Sequence, residues 1–323
     1  MKRLLISFSL LIFGNTFAQD TVAVTKIADA IAEIEKGNFV SLGLFNDTET
    51  TFPSEFFSIP KAKLVGLIIE NCHYKSFPSS ISEFENIFYF RYSWFYFQDC
   101  PLNSFPGFIT EATALQHIQI EGVKFLSIPS LSKLKHLEFL SLYYCELPEF
   151  PRSVLDVISL TELNLSCNKF TSIPSDIDRL INLKTLNFEG GFCGATPISK
   201  VPESIGNLVN LESFSLGFTE IPIETLPNSF YNLKNLKRFE CHGCGLTTLS
   251  EELSQLQKLE SLQLTNLEYF TRLPDALFDL PKMKNFRFYL HARKVDPKLI
   301  QQKERIETWG RSFEFFSFEI NLF

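Results

Sequence analysis

Leu160 to Asn182, LTELNLSCNKFTSIPSDIDRLIN, decides how this chain folds. Leu163 and Leu165 alternate with Glu162, Asn164 and Ser166, the period of a half-buried β-strand. Asn168, Phe170 and Ile173-Pro174 come next, and then Ile177 and Leu180, three apart as on a short helical turn. Proline has no N–H to give to a sheet ladder, so Pro174 belongs on a segment that returns from the strand. One strand and one return cannot bury their own apolar side, so the stretch predicts stacked copies of itself.

The copies are present. Comparable starts fall at Phe39, Leu64, Ile87, Leu115, Leu137, Leu160, Leu183, Leu211, Leu236, Leu259 and Met283. Apolar-Pro steps accompany them at Pro53, Pro78, Pro106, Pro129, Pro151, Pro174, Pro202, Pro227 and Pro274, mostly 22 to 28 residues apart. The one longer step spans two repeats, with Ser250 in the proline slot after Leu249. A fixed period of this length marks a solenoid whose units pack only on their neighbours.

The unit resembles the leucine-rich repeat pattern L-x-x-L-x-L-x-x-N/C-x-L, in the variety that continues L-P-x-x-I-x-x-L. The resemblance covers residues 39–295. It implies a curved right-handed α/β solenoid of 10–11 repeats, with short parallel strands about 4.8 Å apart along the concave side. The 35 phenylalanines predict an interior spine bulkier than a leucine one.

The ends read differently. Residues 1–18 have the features of a secretory leader: Lys2 and Arg3, an apolar run from Leu4 to Phe13, and Thr16-Phe17-Ala18 before Gln19. That run is too short to span a bilayer. The expectation is an exported protein, periplasmic or extracellular and of bacterial origin, with no membrane insertion. Residues 19–38 predict an N-terminal helical cap, with Val24, Ile27, Ile31 and Ile34 on one face and Gly37 as the stop. Residues 296–323 predict a C-terminal cap: a helix over Pro297–Thr308, then a strand in which Phe316, Phe318, Ile320 and Leu322 alternate with polar residues. Without Lys2 and Arg3 the chain carries 28 basic and 37 acidic side chains, a net −9. That balance disfavours nucleic acid and anionic membranes as partners.

Seven cysteines in an exported chain invite a disulfide reading. Register argues otherwise for most of them. Cys72, Cys145 and Cys244 lie eight residues after a repeat start, the slot of Asn168, and Cys241 takes the inward slot of Leu165. All four are expected to be buried, with Cys241 and Cys244 unbonded to each other. Cys100 and Cys193 are four repeats apart, about 19 Å on strand spacing, too far to bridge. Cys167 is within reach of Cys145 in the adjoining repeat.

The resemblance also implies which side chains face outward along the strand: those two, four, six and seven residues after each start. The Ile87 repeat offers Tyr89, Arg91, Ser93 and Trp94; the Leu115 repeat His117, Gln119, Glu121 and Gly122; the Leu137 repeat Phe139, Ser141, Tyr143 and Tyr144. The insert Ser93–Cys100 adds more rings, and Gly190–Pro197 reads only as a flexible loop. Tyr89, Arg91, Trp94, His117, Glu121, Phe139, Tyr143 and Tyr144 are therefore the candidate binding residues. Clustered tyrosine, tryptophan and arginine are what interface hot spots are made of; the bland alternative is that these rings only pack on one another across strands. The next repeats turn polar and small, with Glu162, Asn164, Ser166 and Cys167, then Thr185, Asn187, Glu189 and Gly190, then Ser213, Ser215, Gly217 and Phe218.

Catalytic motifs are missing: no G-x-S-x-G, phosphate loop or H-E-x-x-H occurs. The five histidines, His73, His117, His136, His242 and His291, show no metal-ligand spacing. The sequence thus reads as a protein-binding module without catalysis, metal or cofactor. A carbohydrate-binding module on the same aromatic face, and a passive envelope protein, are the rivals.

Overall fold

A computed structural model describes residues 21–95, 99–190, 197–219, 223–292 and 295–322. The expected leader lies outside the described residues. The chain forms two compact units, one ending at Phe139 and one beginning at Leu140.

In the first unit, β1 (Thr21–Val24) leads into helix α1 (Ile27–Glu35), followed by strands β2 (Phe39–Phe45), β3 (Leu64–Glu70), β4 (Tyr89–Ser93) and β5 (His117–Glu121). Each strand pairs in parallel with the next in chain order. Strand β6 (Phe139–Tyr143) opens with the last residue of this unit. The second unit continues with β7 (Glu162–Asn164), β8 (Thr185–Phe188), β9 (Ser213–Gly217), β10 (Arg238–His242), β11 (Ser261–Leu267) and β12 (Asn285–Ala292). Helix α2 (Pro297–Gly310) and strand β13 (Phe315–Leu322) finish it. From β7 on, every pairing is again parallel and in chain order. Most strands begin two residues after their repeat start, as the pattern predicts. This is the leucine-rich repeat fold.

One end differs from expectation. Thr21–Val24 is not helical; it pairs with β2 from Thr21↔Phe39 to Val24↔Leu42. The β-branched pair Thr21 and Val22 suits a pleated edge, and the helical spacing from Ile27 onward starts only after it. Gly37, at φ +98, donates its N–H to Ile34 and stops α1.

The return segments are short 3₁₀ turns, and proline starts them. Pro53, Pro78, Pro106, Pro151, Pro202, Pro227 and Pro274 each precede a five-residue turn, with φ between −61° and −74°. The ring fixes that angle in advance. Ser250 adopts the same backbone, φ −75°, and its hydroxyl accepts the N–H of Glu252. A side-chain cap thus replaces a fixed dihedral. Asn86, Asn182, Asn210 and Asn235 form a second ladder: each amide donates to a carbonyl of the preceding repeat, at 2.7–2.9 Å.

Strand ends share one corner. Seven residues after the start the backbone enters the left-handed region at Asn46, Asn71, Gly122, Tyr144, Cys167, Phe218, Gly243 and Asn266. Asparagine and glycine tolerate this conformation; Tyr144, Cys167 and Phe218 adopt it at a cost of about 1–2 kcal/mol each.

Between strands and turns lies the core. Leu160, Leu163, Leu165, Phe170, Ile177 and Leu180 are all buried. The phenylalanine spine is real in both units: Phe77 touches Phe52, Phe90 and Phe108, while Phe150, Phe170, Phe188 and Phe214 follow one another edge to face at 5.6–6.4 Å.

Candidate functional site

Strand register puts the outward side chains in rows. Tyr89 stands opposite His117 on the neighbouring strand. Their rings stack at 4.8 Å, and His117 stacks on Phe139 at 3.8 Å with the planes 8° apart. Three successive repeats therefore build a ring ladder. One row along, Arg91 sits between two carboxylates, its Nη2 3.5 Å from Glu70 and 3.6 Å from Glu121. Arg91 Nε donates to Ser93 Oγ at 2.9 Å, and Ser93 Oγ donates to Glu121 at 3.1 Å. Gln119 Nε2 donates to the other Glu121 oxygen at 2.5 Å.

Burial gives this patch its electrostatics. Burial, aided by Arg91, pulls His117 down to about 3, against a weaker upward pull from the Gln119 hydrogen bond, so the imidazole is neutral. Burial pushes the Tyr89 hydroxyl up to about 12. It also raises Glu70, while Arg91 pulls the other way.

Two expected face residues are not exposed. Tyr89 keeps 3% of its surface and Trp94 4%. The reason is size: bulky side chains on adjacent strands about 4.8 Å apart cover one another. Tyr89 is covered on one side by His117, and Trp94 packs edge-on against His73 at 5.3 Å. Arg91, His117, Glu121 and Phe139 are half-buried on the first unit's sheet. Tyr143 and Tyr144 are half-buried in the second unit. Tyr96–Gln98 of the insert lie outside the described residues.

The second unit's sheet carries a cluster that spacing along the chain does not reveal. Glu189, Glu240 and His242 offer ligand atoms all within 4.8 Å of one another. Glu189, the residue after β8, continues the row that Gly217, His242 and Thr265 form on the next three strands. Gly217 leaves a gap, and His242 Nε2 lies 3.7 Å from Glu189 across it. His242 Nδ1 is 2.5 Å from Thr265 Oγ1. Glu240 receives Gln263 Nε2 at 3.0 Å and Ser215 Oγ at 3.4 Å. Burial raises the Glu189 carboxyl; His242 opposes the shift and Glu240 adds to it. The readable signal is the glycine in a row of otherwise polar side chains.

Cysteine register is right for burial and wrong for bonding. Cys72, Cys145, Cys241 and Cys244 are all buried. Cys241 and Cys244, however, form a disulfide, with Cα atoms 5.7 Å apart. Both slots point inward, and Gly243 at φ +58 turns the chain between them, so the sulfurs converge on the same side. Cys167 is disulfide-bonded as well. Its expected partner, Cys145, is instead a thiol whose Sγ donates to the Tyr143 carbonyl. Cys100 is a thiol 3.7 Å from the Tyr92 hydroxyl. Cys193 lies outside the described residues.

No family model matches the chain. Over 171 residues it is 29% identical to the disease resistance protein RPS4B of Arabidopsis thaliana, covering 52% of this chain and 14% of that one. The chain spans a fifth or less of the length of the curated relatives it matches. An internalin from Listeria monocytogenes has a similar structure, with TM-score 0.55, 14% identity and 89% of each chain covered. So has the leucine-rich repeat ectodomain of the plant receptor kinase GASSHO1/SCHENGEN3 of Arabidopsis thaliana, solved in complex with CASPARIAN STRIP INTEGRITY FACTOR 2. There the TM-score is 0.56 and the identity 19%, with 88% of this chain and 35% of that one covered. Repeat pattern and architecture together define a leucine-rich repeat fold.

Proposed function

We propose that this chain is an exported module that binds a protein partner on the outer sheet face of its first unit, without catalysis. The observation that carries this reading is the Tyr89–His117–Phe139 ladder beside a guanidinium fixed by two carboxylates. The rings are prestacked and Arg91 is preoriented, so little side-chain freedom remains to be lost on binding. His117, Phe139 and Arg91 present partly exposed aromatic and cationic surface, the chemistry of interface anchors. The plant receptor ectodomain, solved in complex with CASPARIAN STRIP INTEGRITY FACTOR 2, supports partner binding as a use of such a scaffold. A sugar is the weaker fit, because the rings face one another rather than lying side by side with open faces. Among the described residues no helix is long and apolar enough to cross a membrane.

The test has two arms. Protein recovered from the cell envelope should begin at Gln19; recovery of uncleaved protein from the cytosol alone would defeat export. A partner captured by cross-linking to the intact chain should bind Phe139→Ala or Arg91→Ala at least about thirtyfold more weakly, the equivalent of about 2 kcal/mol. Unchanged affinity in both variants would move the site elsewhere.

A further inference from the structure

We propose that Glu189, Glu240 and His242 form a binding site for one divalent first-row metal ion, with zinc the ion to test, on the sheet of the second unit. The donor set is one imidazole nitrogen and two carboxylates, all within 4.8 Å of one another. A metal of this class holds nitrogen and oxygen ligands at about 2.0–2.2 Å, so small side-chain rotations bring the three atoms onto one ion.

The surroundings prepare these groups. His242 Nδ1 lies within hydrogen-bond distance of Thr265 Oγ1, and its Nε2 faces Glu189. An outer hydrogen bond of this kind fixes the tautomer of a ligating histidine. Gln263 and Ser215 each donate to one oxygen of Glu240 and orient that carboxylate. Asn187 accepts the backbone N–H of Glu189 at 2.8 Å. The Cys241–Cys244 bond closes a short ring around His242, fixing its backbone.

Gly217 is the second, independent feature. Glu189 and His242 stand on strands two apart, about 9.6 Å between backbones. They meet only because the strand between them has no side chain at that position. A Cβ there would stand 2.9 Å from Glu189 Cγ and 3.2 Å from the His242 carbonyl. The gap is bordered by an imidazole and a carboxylate, with a second carboxylate at its edge. Imidazole in the set favours a transition metal over calcium or magnesium, which prefer oxygen ligands alone.

The experiment uses the intact oxidised chain stripped with chelator. Equilibrium dialysis should find one zinc per chain. Cobalt(II) should give ligand-field bands without thiolate charge transfer, separating this site from Cys72, Cys100 and Cys145. His242→Gln and Glu240→Gln should each weaken uptake at least about tenfold, and Thr265→Val by about 10–100-fold as an outer-sphere loss. Gly217→Ala should abolish binding while a melting curve reports the fold. Glu189→Gln, on a more exposed side chain, serves if His242→Gln does not fold. Absence of stoichiometric uptake by the stripped wild-type chain overturns the proposal. So does uptake that survives both Glu189→Gln and Glu240→Gln, or a cobalt spectrum dominated by thiolate.

Discussion

The two units use the same outward positions to opposite ends. On the first, two, four and six residues after a repeat start lie Tyr89, Arg91 and Ser93, then His117, Gln119 and Glu121. On the second, the same positions hold Thr185, Asn187 and Glu189, then Ser213, Ser215 and Gly217, then Arg238, Glu240 and His242. One face is a stack of rings around a clamped cation. The other is a polar floor with a gap between an imidazole and carboxylates. Backbone, register and core are shared, so the scaffold fixes where a side chain stands and leaves open what it does.

Leu163→Ala, in the core, should lose about 2–5 kcal/mol in urea unfolding. A smaller loss than for an outward substitution would mean that inside and outside have been exchanged.

Trp94→Ala comes next. Taken as an exposed side chain, Trp94 would contribute within about 1 kcal/mol. Buried against His73 with 4% of its surface left, it should cost about 3 kcal/mol. Unfolding midpoints separate the two values.

Acid sharpens the contrast between the faces. His117 in the folded chain is lowered to about 3, while unfolded histidine titrates near 6.5. Below pH 6.5 the unfolded chain takes up the extra proton, so stability is unaffected above that pH and falls continuously toward pH 3. The loss from this group should reach about 2 kcal/mol at pH 5. His117→Phe should remove that slope from an unfolding series run between pH 7 and pH 5. If the slope is unchanged, His117 is not the group responsible.

Phe139→Ala should cost only about 1 kcal/mol, one stacked pair on a half-buried ring. The same unfolding assay checks it, and a cost near that of Leu163→Ala would make the ladder part of the core. Cysteine mapping involves chemistry rather than energy. Alkylation of the unfolded, unreduced chain should label Cys72, Cys100 and Cys145, and label Cys241 and Cys244 only after reduction. Early labelling of the last two would remove the ring that fixes His242.

The fold was legible because its signal repeats. Leu163 and Leu165 mark one strand, and eleven aligned starts make the same statement. The face was legible only as positions. Register says that Tyr89 and Trp94 point outward; it says nothing about neighbouring rings closing over them. At the first cap, helical spacing from Ile27 was real, but Val24 fits that spacing and a strand equally well, and pairing with β2 decides it. Cys241 and Cys244 were readable as inward, yet their bond depends on the turn at Gly243. Glu189 and His242 are separated by two whole repeats, and only stacking in register brings them together.

The strand-end corner has a consequence for how such a chain can lengthen. Its N–H donates to the repeat that follows, as Asn71 to Ser93, Trp94 to Glu121, Cys167 to Glu189 and Gly190 to Gly217. The two 28-residue repeats, beginning at Ile87 and Leu183, carry their extra residues just beyond Trp94 and Gly190. In both, that hydrogen bond is intact at 2.9 and 3.0 Å, although neither Trp94 nor Gly190 takes the left-handed backbone. That bond works as a clasp: residues are added after it while the strands on either side keep their pairing. Such a protein can acquire a new loop at any rung without altering the sheet that displays it.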